Sequence, residues 1–190
     1  MVTRKIIGAV AMAGRTVHRF LGNRSGVAAV EFAILLPIMV LLYIGGLEIS
    51  DGFTIKRKVT NATSALDDLV TRTKEITLAE MEAILDAAGA VIAPYSADQM
   101  KIKITGVTID GDSQATVCWG AQRNDTANNQ GDTISLPEGV SLPDSFLVVA
   151  EVHYLFEPAI GYVISGTVDI GDTFYLKPRL SPTVSYDGEC

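Results

Sequence analysis

The stretch Arg24-Ser-Gly-Val-Ala-Ala-Val-Glu-Phe-Ala-Ile-Leu-Leu-Pro-Ile-Met-Val-Leu-Leu-Tyr-Ile-Gly-Gly-Leu47 decides how this chain is organised. From Val27 to Leu47 it holds 21 residues and a single charge, Glu31. Coiled as a helix, that run is about 31 Å long, close to the hydrocarbon core of a bilayer. Twelve of its residues are Leu, Ile, Phe or Val. Their combined insertion free energy, about −5 kcal/mol, outweighs the roughly 2.5–3.5 kcal/mol of a charge at the helix centre. Glu31 sits near one end, where the cost is lower. The composition predicts a transmembrane helix over residues 27–47.

The flanks orient it. Residues 1–26 carry Arg4, Lys5, Arg15, Arg19 and Arg24 and no acid, whereas residues 48–190 carry 10 basic and 21 acidic side chains. By the positive-inside rule the leader 1–26 stays in the cytoplasm and residues 48–190 form an exported domain. Lys56, Arg57 and Lys58 weaken that contrast, but Glu48 and Asp51 precede them. The rival reads Lys5 followed by Ile6–Ala13 as a secretory signal, with Ala11-Met12-Ala13 as its cut site. Its apolar core would span only about six residues, short of the usual length, and three arginines would then face the span from outside. An exported domain this acidic argues against nucleic acid as a partner, since phosphate binding needs clustered Lys and Arg.

Cys118 and Cys190 both fall in the exported part. An even pair in an oxidising compartment points to a disulfide tying down the C-terminal tail; the alternatives are two unpaired thiols or one intermolecular bond. No Cys/His cluster has zinc spacing, so no metal is expected.

Beyond the span, Gly45-Gly46 and Gly52 are points where the helix can loosen. Ile55, Val59, Ala62, Leu66 and Leu69 nevertheless continue an apolar stripe to about Thr73. Lys56, Lys58, Thr60, Asn61, Asp67, Asp68 and Arg72 fill the other faces, and Asp67-Asp68 read as a solvated surface. Thr77-Leu-Ala-Glu80 is a capping box opening a short second helix through Met81, Ile84, Leu85 and Ala88, with Gly89 and Pro94 marking its end. The period then changes to two. Ile102, Ile104, Val107 and Ile109 form a strand, Asp110–Ser113 a hairpin turn and Thr116–Trp119 its return. Residues 121–133 read as loop, Phe146–Phe156 as a long strand and Phe174–Leu176 as the start of a last one. Helices first and strands later predict an α+β fold: a transmembrane helix extending into a domain with a second short helix and an antiparallel sheet.

The segment Arg24-Ser-Gly26-Val-Ala-Ala-Val-Glu31-Phe32 carries the functional signal. A basic stretch ends in Gly26, and an apolar helix follows with an acid at its fifth residue and an aromatic at its sixth. This resembles a type IV prepilin processing signal. The resemblance implies an inner-membrane aspartyl peptidase cutting Gly26–Val27, where a small residue suits an extended chain in the peptidase site. It further implies that Glu31, beside Phe32, meets the new α-amine of a neighbouring subunit and sets axial registry, the best-attested use of a costly intramembrane charge pair. A tolerated acid snorkelling to the headgroups is the plainer alternative. With Ala-Ile-Leu-Leu-Pro37, Gly45 and Glu48 added, residues 24–50 are similar to the TadE-like family, pseudopilins of tight-adherence (Tad, or Flp) pilus systems. That family implies a minor or accessory subunit of TadE or TadF type in a pilin-like fold. Its implied partners are the prepilin peptidase, other pilin or pseudopilin subunits, the Tad assembly platform and the inner membrane. Pro37 removes one helix hydrogen bond and is expected to kink or locally unwind the span. An uncleaved signal-anchored scaffold or receptor is the competing function.

Other signals are weaker. Asp110-Gly-Asp112 and the Asn124-Asp125…Asp132 loop lack the ligand order of a calcium loop and read as turn chemistry. His153 lies mid-strand with no second histidine nearby except His18, and reads as a satisfied strand residue. There is no nucleophile elbow or phosphate loop, so no catalytic residue, cofactor or enzyme activity is expected. Trp119, next to Cys118, is expected in the core.

Overall fold

The computed structural model describes residues 25–158 and 160–190. The leader's Arg4, Lys5, Arg15, Arg19 and Arg24, like the rival signal segment Ile6–Ala13, lie outside the described residues. Two units divide the chain between Gly46 and Leu47. Helix α1, Ser25–Thr71, runs unbroken through 47 residues and belongs to both. Pro37 causes no local unwinding, and Gly45, Gly46 and Gly52 leave the helix intact.

In the second unit, the acidic part of the chain folds as α+β. After α1 come β1 (Glu75–Ile76), α2 (Leu78–Val91), a 3-10 turn (Ala97–Gln99), β2 (Met100–Ile109) and β3 (Ala115–Arg123). They are followed by β4 (Thr133–Ile134), β5 (Ser145–Phe156), β6 (Val168–Leu176) and β7 (Ser185–Tyr186). Strands β4-β3-β2-β5-β6 make a five-stranded sheet whose pairings are all antiparallel. The small β1–β7 pair is parallel, and returns the C-terminal tail to the end of α1.

The helix stripe explains the packing. Ile55, Val59, Ala62 and Leu66 are fully buried, but the next member is Val70 rather than Leu69, which is 43% exposed. A 3.6-residue turn places i+4, not i+3, under the sheet at that point. These side chains share a core with Met81, Leu85 and Ala88 of α2 and with one face of the sheet: Ile102 and Ile104 of β2, Trp119 of β3, and Val148, Val152 and Tyr154 of β5. Each fully buried Ile or Leu there contributes roughly 2 kcal/mol by leaving water. The opposite face alternates as a strand must. Lys103 faces Glu151 directly across the β2–β5 ladder, with Nζ and Oε2 3.1 Å apart. Further along, Val107, Ile109, Leu147 and Val149 form a second, smaller apolar cluster.

The ends of α2 follow local rules. Thr77 and Glu80 form the reciprocal capping box. Gly89 does not end the helix, which continues to Val91. Lys58 of α1 reaches the last carbonyls, donating to Ala93 at 2.5 Å and Val91 at 3.2 Å. Strand β3 extends to Arg123, beyond the loop boundary that its polar composition suggests, because its ladder with β2 continues to Ile102. Likewise β6 starts at Val168, six residues before Phe174, held by β5. The Asp110 turn forms as expected: its carboxylate accepts from the amides of Asp112 and Gln114.

Trp119 is fully buried. Its indole N–H donates to the Val184 carbonyl at 2.7 Å, and its ring lies 5.6 Å from that of Tyr186. Cys118, beside it, is joined to Cys190 with Cα atoms 5.9 Å apart. The bond closes a loop across a sequence separation of 72, worth about 4 kcal/mol in the chain-entropy account. The bond fixes the tail that carries Val184 and Tyr186 against the tryptophan.

Gly106 is what lets the ring fit. It faces Trp119 across the β2–β3 ladder, and a Cβ built on it overlaps the indole. The ring has no retreat, held by Val184 and Tyr186 on its other sides. Gly106→Ala is therefore expected to destabilise the unit by about 3 kcal/mol, combining overpacking with loss of the indole hydrogen bond. A urea melt of the detergent-solubilised chain, followed by Trp119 emission, measures it; an unchanged midpoint would refute this account of the close approach.

Candidate functional site

In the first unit, residues 26–43 of α1 are exposed without exception. The helix contains a window with mean hydropathy 2.5, none of it buried, which makes it long and apolar enough to cross a membrane. Gly26 and Val27 occupy its first turn. A Cβ at Gly26 would meet nothing within 4 Å among the described residues. Glu31 lies one helical turn beyond Val27, next to Phe32, and both are exposed. A carboxylate one turn past Val27, on an otherwise apolar and exposed stretch of helix, has the chemistry to take a cationic partner. Pro37 lies further along the same helix. Of the residues singled out from sequence, Gly26, Val27, Glu31 and Phe32 share the first two turns of one helix. Cys118 and Cys190 meet in the second unit.

The second unit contains two carboxylates whose roles the sequence did not disclose. Glu48, the first residue past the predicted span, is only 4% exposed. Its carboxylate accepts from three consecutive amides of the β5–β6 connection: Tyr162 at 3.0 Å, Val163 at 3.1 Å and Ile164 at 2.9 Å. Gly161, at φ +64°, sets the turn that aims those amides together, making a small anion-binding nest. No short-range pattern links residue 48 to residues 162–164, so sequence reading had nothing to detect.

Asp67 corrects an expectation outright. It was expected on a solvated face with Asp68, yet it is fully buried, and neither carboxylate oxygen has a hydrogen-bond partner among the described residues. It lies between Thr63 and Thr71 on the packed side of α1, but both hydroxyls donate to helix carbonyls instead, Thr63 to Val59 and Thr71 to Asp67. Burial pushes its carboxyl from the ordinary 3.8 up to about 7; the charge of Asp68 adds to the rise and that of Arg179 opposes it. Asp68 behaves as its sequence suggests, pairing with Arg72 at 2.7 Å and Arg179 at 2.9 Å. The signal that separates the two is phase. Asp67 falls four residues after Thr63 and one after Leu66, on the buried side of the stripe.

His153 stands beside Asp169, Nδ1 to carboxylate 2.9 Å, a satisfied strand histidine. Two of the three cations after the span hold the second unit together. Lys58 binds the α2 terminus, and Lys56 donates to the Gly171 carbonyl and pairs with Asp172.

These features define a class: a chain whose long apolar N-terminal helix leads into an α+β unit. Comparison adds a partial match to one protein family. The model of the TadE-like protein family matches residues 26–65, 40 of 190 positions, from Gly26 through the outer half of α1. No curated protein and no solved structure matches the chain.

Proposed function

We propose that this chain is a minor pilin-like subunit, a pseudopilin, for assembly of a Tad/Flp type IV pilus. It is inserted in the bacterial inner membrane through residues 27–47 after a prepilin peptidase cuts Gly26–Val27. The leader faces the cytoplasm and residues 48–190 the periplasm, following the charge asymmetry. The carrying observation is that the TadE-like match begins at Gly26 and covers an apolar helical stretch, exposed throughout residues 26–43, with Glu31 the fifth residue after Gly26. Such a surface suits lateral packing against other pilin or pseudopilin helices and the Tad assembly platform. In water it would be a liability.

The deciding measurement is the mature N-terminus, by mass spectrometry, of protein recovered from membranes containing the cognate peptidase. A start at Val27, absent when the peptidase is deleted, is expected. A start at Met1 or Val2 would instead make the chain an uncleaved, signal-anchored scaffold or receptor. Glu31 has its own test. Glu31→Leu removes the charge from an exposed helix position, so insertion is expected to persist or improve while pilus assembly falls at least about tenfold, the worth of a 1.4 kcal/mol registry contact. Normal pili in that variant would end the registry role.

A further inference from the structure

We infer that residues 160–164, Ile-Gly-Tyr-Val-Ile in the β5–β6 connection, rest in the headgroup layer of the same bilayer that α1 crosses, giving the second unit a membrane contact besides its helix. The inference rests on the membrane-spanning reading of residues 27–47 and is independent of pilus assembly.

Three observations carry it. The first is position. Glu48 follows the span directly, and its carboxylate holds the amides of Tyr162, Val163 and Ile164 at hydrogen-bond distance. The loop is therefore fixed at the level of Glu48, the residue that follows the last of the predicted span. The second is composition. Residues 160–166 contain no charge, and the loop turns Ile160, Tyr162 and Val163 outward at 56%, 69% and 44% exposure. A tyrosine flanked by aliphatic side chains suits the interface, with the ring among acyl carbons and the hydroxyl among headgroups. The third is continuity. Ile49 and Phe53, on the next turns of α1, are also exposed, so apolar surface does not stop at Leu47.

The carboxylate at this level is no obstacle. Three backbone donors satisfy Glu48, replacing the water that a bare charge near lipid would demand. The loop backbone gains equally, since amides approaching an apolar layer need an acceptor.

The test places a tryptophan at three positions of the full chain reconstituted in vesicles with lipids brominated on the upper acyl chain. Tyr162→Trp reports the loop, Tyr43→Trp the span and Leu142→Trp a distant exposed loop, each read as emission added to that of Trp119. Apolar groups at an interface sit roughly 5–10 Å into the headgroup–acyl boundary, so about a twofold loss of the added emission is expected for Tyr162→Trp and Tyr43→Trp, and none for Leu142→Trp. Quenching at 43 without quenching at 162 overturns the loop contact while leaving the span intact. No quenching at 43 overturns the membrane reading beneath it. If the residue 162 probe is shielded only when other pilus subunits are added, the loop's occupant is protein, and the lipid contact is likewise refuted.

Discussion

Gly26→Val is expected to leave the chain at full length, with processing reduced at least about a hundredfold, or roughly 2.7 kcal/mol of barrier. Gly26 lies in the first turn of α1, so the bond after it reaches a peptidase only if that turn unwinds. Glycine makes this easier, because it is about 1 kcal/mol poorer in a helix than alanine. It also lets the backbone approach catalytic groups closely, where a branched side chain does not fit. The fold gives the control. A side chain at position 26 meets nothing among the described residues, so Val there does not disturb the rest of the helix. A processing defect therefore reports on recognition rather than misfolding. Gly26→Ala is expected to fall between the two. Gel mobility and N-terminal mass read all three chains; normal processing of the valine variant would remove Gly26–Val27 as the cleavage site.

Asp67→Asn is expected to stabilise the second unit above pH 7 and to change it little near pH 4. An aspartate in the unfolded chain ionises near 3.8, whereas burial holds Asp67 protonated in the folded chain up to about 7. Below pH 3.8 both states carry the proton. Between 3.8 and about 7 the unfolded state loses it first, so stability falls as pH rises. Above about 7 both are ionised and the loss is constant. Displacement from 3.8 to about 7 is worth roughly 4 kcal/mol, an upper figure because relaxation around the charge reduces it. Asparagine keeps the shape and cannot ionise, so it retains the low-pH stability throughout. Urea midpoints of both proteins at pH 4.5, 6, 7 and 8, read by Trp119 emission, should converge at the acid end and separate by at least about 2 kcal/mol at pH 8. Parallel curves, or an asparagine variant weaker at pH 8, would mean that Asp67 finds a partner when charged.

The two residues differ in how far the sequence disclosed them. Gly26, Val27, Glu31 and Phe32 stand out in the sequence because the pattern they form is local: a basic run, a small residue and an acid five places beyond it. The same holds for the Thr77–Glu80 capping box and the Asp110 turn, where partners lie within four residues. The α+β class was readable for a related reason, since hydrophobic periods of 3.6 and 2 are properties of the chain itself.

What needed the tertiary structure was every decision involving distant partners. Asp67 and Asp68 are chemically identical neighbours, and only the packed helix shows that a 100° step buries one and leaves the other to pair with Arg72 and Arg179. Val70 displaces Leu69 from the stripe for the same reason. Glu48 gains its loop across more than a hundred residues, and Cys118 meets Cys190 only because β7 brings the tail back to β1. Sequence alone therefore determined the local elements, whose energetics act within a turn or two. The fold decided which polar groups are buried and which loop Glu48 holds, because burial and long-range hydrogen bonding depend on neighbours that the chain order does not specify.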